Sequence, residues 1–305
     1  MTSATPGSRK GLLSREDCLA PPAIPTGQTP KDVLNTIWRK NEVFLDIGSY
    51  SIGSFVMVMW TPLLLILWFM PPLDGGSFDA GYWYLFMCFG GFPILMLIYI
   101  LSRPVPLPVR FNRQRREVCV PFKDGRYWIV PWEQVTAQAI AMHSVGQHGK
   151  TTQGLLVVGF NNPDPNAPET ERDFSLSFSC GGGETAMSLW ECMRSYMEIG
   201  ADAVPDSRLG RRPYAETQIG SIVTSLFKGD ILDVLHGLFF IVFLGTYLAE
   251  KLQNWKLAPP PELTDPAIVE WSKPLPPEQW AQRSAELEQA IRLREAELEK
   301  EAQIA

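Results

Sequence analysis

Histidine and cysteine are scarce, three and five in 305 residues, and they do not gather. The cysteines (Cys18, Cys88, Cys119, Cys180, Cys192) are odd in number and form no C-x-x-C pair. That argues against a disulfide framework and reads as reduced, buried thiols. His143 and His148 flank a loop with no cysteine or carboxylate at ligand spacing, so no metal is expected. There is no G-x-S-x-G, no Walker-type Gly-Lys loop and no H-E-x-x-H. The chain is therefore read as non-enzymatic, with no catalytic residue and no cofactor. Basic excess is missing too: the net charge is −6, whereas a nucleic-acid surface needs concentrated positive charge. Nucleic acid is excluded as a partner. Residues 1–40 are polar and Pro-rich and lack the short apolar core of a cleavable signal.

Charge is absent altogether from two long runs. Residues 49–70 (SYSIGSFVMVMWTPLLLILWFM) and 81–101 (GYWYLFMCFGGFPILMLIYIL) contain no ionisable acid or base. About 20 apolar residues suffice for a helix to cross a hydrocarbon layer of roughly 30 Å, and only a helical hairpin would satisfy both backbones in lipid. The fold class expected is a membrane α-helical protein, a hairpin over 49–101 plus a third apolar helix over 231–249, carrying an α+β sheet domain. The third segment is either another crossing or a helix buried against the hairpin. Ser49 with Gly53, and Gly90 with Gly91, are small residues suited to close helix packing. Asp233 and His236 fall three apart on one face near the start of the third segment, a candidate polar pair in lipid.

Arg39 and Lys40 precede the hairpin and Arg103, Arg110, Arg113, Arg115 and Arg116 follow it. The connecting loop has only Asp74 and Asp79. Lys and Arg resist translocation, so the N-terminus and residues 103–230 are expected in the cytoplasm of a multi-pass protein of the bacterial inner membrane. A third crossing would put the C-terminal tail outside. The five arginines after the hairpin form a membrane-proximal basic cluster of the kind that attracts anionic headgroups.

The remainder divides by composition. Residues 1–48 read as a disordered tail with a short surface helix over 32–44. Residues 103–200 read as about six short strands followed by an amphipathic helix, as in the alternation of RDFSLSFSC and the helical period of TAMSLWECMRSYMEIG. CGGGE, residues 180–184, reads as a glycine turn before that helix. Residues 201–230 form a polar connector with Arg208, Arg211 and Arg212, 250–277 a stiff Pro-rich linker, and 278–305 a charged, solvated helix.

The order of strands and closing helix over 105–200 resembles pleckstrin-homology-like domains. Residues 109–120 (VRFNRQRREVCV) and 128–135 (WIVPWEQV) resemble an uncharacterised proteobacterial membrane-protein family often encoded beside type VI secretion effectors. That resemblance implies an interaction protein, an immunity or accessory factor for a secreted toxin, with the bilayer and the toxin or another membrane protein as partners. The alternative is a tethered lipid- or protein-sensing module.

Overall fold

The computed structural model describes residues 7–10, 14–19, 23–69, 80–146, 149–209 and 217–304. Asp74, Asp79, Arg211, Arg212 and His148 lie outside the described residues.

Among the described residues there are ten strands: β1 Gly7–Lys10, β2 Ser14–Cys18, β3 Ile37–Lys40, β4 Phe44–Ile47, β5 Val109–Asn112, β6 Glu117–Pro121, β7 Tyr127–Pro131, β8 Thr136–Gly146, β9 Gly149–Asn161 and β10 Asp173–Cys180. They form two five-stranded sheets, ordered β1-β2-β8-β9-β10 and β3-β4-β5-β6-β7, antiparallel throughout. The helices are α1 Gly53–Phe69, α2 Ala80–Ser102, α3 Gly183–Glu198, α4 Gln218–Lys228, α5 Ile231–Phe243, α6 Thr246–Leu257, α7 Pro266–Trp271 and α8 Ala285–Ile304.

The chain separates into two compact units. One holds both sheets with α3, α7 and α8, and is assembled from residues 1–49, 106–207 and 262–305. The other holds α1, α2, α4, α5 and α6, from residues 50–105 and 208–261.

The sheet unit has one large core spanning both sheets and two small apolar clusters beside it. Val118 and Val120 of β6, Leu156 and Val158 of β9, and Leu189, Trp190 and Met193 of α3 are all buried within the large core. Trp132 and Trp190 stack at 5.5 Å, and Phe111 meets Trp132 edge-on at 6.0 Å. Such pairs contribute about 0.5–1.5 kcal/mol beyond their area. Helical period predicts one apolar face for α3, but every residue from 188 to 197 is buried. Its polar side is covered by the N-terminal segment. Glu191 accepts from the Thr26 hydroxyl at 2.7 Å and from Arg194 Nε at 2.6 Å, and Arg194 also donates to the Ala23 carbonyl. Ala23 in turn packs on Leu287 and Ile291 of α8.

In the helical unit, α1 is 17 residues long, about 26 Å at 1.5 Å per residue. Gly90 of α2 lets Leu63 of α1 approach, since a Cβ there would lie 2.9 Å from its Cδ1. The apolar segment after residue 231 is broken. α5 and α6 meet at a bend of 56°, where Gly245 takes φ +71 and Trp60 occupies the space a Cβ would need, 2.4 Å away. Trp60 Nε1 donates to the Val242 carbonyl that the break frees, at 3.0 Å.

These observations correct the expected fold class. The chain is an α+β protein with two antiparallel sheets, not a multi-helix membrane protein of three spans. Among the described residues one helix, Ala80–Ser102, is long and apolar enough to cross a membrane, or two spans if the bent pair is counted as one. The sheet domain is not a six-strand module of residues 103–200, because β1–β4 complete both sheets from residues read as tail and surface helix. Residues 262–304, read as linker and free helix, fold onto the sheets.

Replacing Glu191 with Ala should leave Arg194 buried without its carboxylate. Loss of one partner of a buried pair costs about 3–5 kcal/mol, so denaturant unfolding of the full chain should show a fall of that order. A change under 1 kcal/mol would contradict the pairing described.

Candidate functional site

The β5–β6 turn carries most of the predicted basic cluster, and every arginine on it is bonded within the sheet unit. A short reverse turn fans successive side chains in different directions. Here each arginine therefore finds a different partner.

Arg110, on β5, is 5% exposed and sits opposite Asp46 of β4, which is fully buried. The pair is bidentate at 2.6 and 2.8 Å, and the third guanidinium nitrogen donates to Ser272 Oγ at 2.9 Å. The Arg110 guanidinium also lies 3.7 Å from the centre of the Phe44 ring. Arg113 donates to the Ile199 carbonyl at 2.9 Å and faces Trp280 at 5.4 Å. Arg115 Nε donates to the Trp271 carbonyl at 2.9 Å, which also accepts from Asn112 Nδ2. Arg116 has φ +52, a left-handed conformation uncommon outside glycine. It turns the side chain inward to Glu133 at 2.6 Å and to both carboxylate oxygens of Glu198 at 2.9 and 3.1 Å. Burial opposes its charge, but the hydrogen bonds and attraction of Glu198, then of Glu133, outweigh burial and raise its pKa. Arg103 lies in the helical unit beside Tyr99, to which it donates.

Across the turn runs a strap, residues 262–284. Glu262 pairs with Arg39 at 3.1 Å. Trp271 Nε1 donates to Glu117 at 2.7 Å. Gln114 holds the strap twice, accepting from the Leu275 amide at 2.7 Å through its side chain and from the Ala281 amide at 2.9 Å through its carbonyl. Arg283 reaches Glu198 at 2.5 Å. Between strap and β6–β7 hairpin lies a groove of about 260 Å³ lined by Cys119, Phe122, Tyr127, Leu263, Asp265 and Ile268. Burial pushes the Cys119 thiol up to about 12.

The remaining predicted residues are dispersed. Ser49 and Gly53 fall in different units, and Gly53 lies against Ala249, with a Cβ-to-Cβ approach of 3.9 Å. Gly90 makes the inter-helix approach given above, whereas Gly91 faces Met87 of its own helix. Asp233 and His236 are both exposed. The Asp233 amide is capped by Asp230, and the His236 ring packs on Phe240 at 4.4 Å. Among the described residues no group of three or more His, Cys, Asp or Glu could hold a metal ion. The sequence reading missed Asp46, Glu198, Trp271 and Gln114. Their one local signal is the row of tryptophans in a segment otherwise read as linker.

Together these features define an α+β protein whose sheet domain is interrupted by two apolar helical insertions and locked by its own C-terminal strap. Residues 86–262 match a family of unknown function, DUF6708, and the chain belongs to that family. No curated protein and no solved structure matches it.

Glu198→Ala should leave Arg116 with Glu133 alone and the Trp132 indole without its acceptor, lowering stability by about 3–5 kcal/mol, and Arg283→Ala, at the exposed end, by about 1 kcal/mol or less, both read by denaturant unfolding. Thiol alkylation requires the thiolate. With its pKa raised to about 12, Cys119 should stay unlabelled by iodoacetamide at pH 8 in the folded chain while the half-buried Cys18 reacts. Equal rates by mass spectrometry would refute the burial.

Proposed function

We propose that the chain is a non-enzymatic interaction protein held at a membrane by its helical unit. The observation that carries this reading is where apolar surface remains uncovered. Among the described residues 30 large apolar side chains are exposed, and 24 of them belong to the helical unit. Trp68, Phe227 and Leu232 are each about four-fifths exposed or more. Exposed apolar surface is unfavourable in water by roughly 25 cal/mol per Å², and this concentration of it in one unit supports a membrane or protein contact. Aromatic side chains at the start of α2, Trp83 and Tyr84, suit the interface between lipid and water.

The likeness of residues 109–120 and 128–135 to a proteobacterial membrane family encoded beside type VI secretion effectors supports the finer reading, an inner-membrane immunity or accessory protein for a secreted toxin. The lipid-sensing alternative has less support, because Arg110, Arg113, Arg115 and Arg116 already bond within the sheet domain.

Two measurements test this. The full chain should sediment with membranes and resist extraction by alkaline carbonate; full release would end the attachment reading. A neighbouring effector gene, expressed with and without this protein, should kill less in its presence. Undiminished killing, together with unaltered effector secretion, would end the toxin reading.

A further inference from the structure

Connectivity decides a question that hydropathy leaves open. The sheet domain is built from three stretches of chain, and each is tied to the others by buried groups. Strand β4 pairs with β5, and Asp46 chelates Arg110 from the next stretch. The third stretch is fastened to the second where Trp271 takes donors from Asn112 and Arg115, and where Arg283 meets Glu198. It is fastened to the first where Leu287 and Ile291 pack on Ala23. The two apolar insertions, residues 50–105 and 208–261, therefore each leave this one folded domain and return to it.

A folded domain cannot lie on both faces of a bilayer. We infer that both insertions meet the acyl layer from one face only, so the N-terminal strands, the arginine turn, the strap and the C-terminal helix Ala285–Ile304 share one side of the membrane. This rests on the membrane attachment proposed above. It requires that neither insertion crosses an odd number of times. Helix Ala80–Ser102 has the length and apolar composition of a span. As a lone crossing it would separate Asp46 from Arg110, breaking the buried bidentate pair and leaving Asp46 with Arg39 alone, 3.5 Å away. The same argument applies to α5 and α6. A single passage there would remove residues 262–304 from the turn they cover and expose the Arg116–Glu198 cluster where Arg283 closes it. The 56° bend at the Leu244–Gly245 break takes the second insertion off a single straight axis. The partner fitted is the neutral hydrocarbon of a bilayer rather than its headgroups, because the exposed large apolar side chains concentrate on the insertions, whose exposed charges gather at the Lys228–Asp233 turn and near Lys251, and the arginines of the β5–β6 turn are spent.

The test uses the full chain with Cys18 and Cys88 changed to Ser and one exposed position at a time changed to Cys: Glu42→Cys in the first stretch, Asp173→Cys in the second, Glu299→Cys in the third. All three native side chains are exposed. Sealed membrane vesicles of either orientation are treated with a membrane-impermeant maleimide, and carbonate-resistant protein is scored. All three positions should label in the same vesicles and be protected in the opposite ones. Membrane-retained protein in which Glu299→Cys or Glu42→Cys labels from the face opposite to Asp173→Cys would overturn the inference while leaving the attachment intact. Protein recovered wholly in the soluble fraction would overturn both.

Discussion

Glu198 carries its charge with only 2% of its side chain exposed. A carboxylate in that position is tolerable only if its oxygens are filled by donors. Three arrive, the Trp132 indole from the second sheet, Arg116 from the turn and Arg283 from the C-terminal strap. Each fixes a different layer. Trp132 is the residue on which Trp190 and Phe111 pack, so the same carboxylate that ends α3 also orients the aromatic centre of the core. Arg116 accepts a left-handed backbone to reach it. The domain is thus organised around buried charge as much as around apolar area, in separate polar clusters centred on Asp46, Glu191 and Glu198.

Those clusters explain what became of the basic cluster. Counted along the sequence, five arginines after an apolar run read as a flank facing anionic headgroups. In space four of them are neutralised or capped: Arg110 by Asp46, Arg116 by Glu133 and Glu198, and Arg113 and Arg115 by backbone carbonyls. Orientation rules count charge near apolar ends and cannot see partners that lie far away in sequence. The Arg110–Asp46 pair spans 64 residues and the Arg110–Ser272 bond spans 162.

What could be read from the residues was local. The amphipathic period of α3, the alternation of β10 and the charge-free stretches all reflect the residues that carry them. The short strands β3 and β4 were not legible, since IWRK and FLDI are four residues each and gain their structure only by pairing. Residues 32–44 read as a short surface helix, yet Ile37 and Trp38 are both buried in a strand beside β4. The strap was obscured by its prolines, which suit a spacer and an extended docked segment equally. The break in the third apolar segment was hidden because Gly245 looks like any other small residue until Trp60 arrives from another helix.

Assembly from three separated stretches has a cost in time. A nascent chain that has just exposed Arg110 must wait for Ser272, which at the usual ~5–20 residues per second of synthesis is roughly 8–30 s. Until residues 262–284 emerge, the Trp271 seat and the open side of Glu198 stay unoccupied, while both greasy insertions, residues 50–105 and 208–261, precede them off the ribosome. The insertions must therefore find their surroundings, or a chaperone, before the domain that carries them can shut.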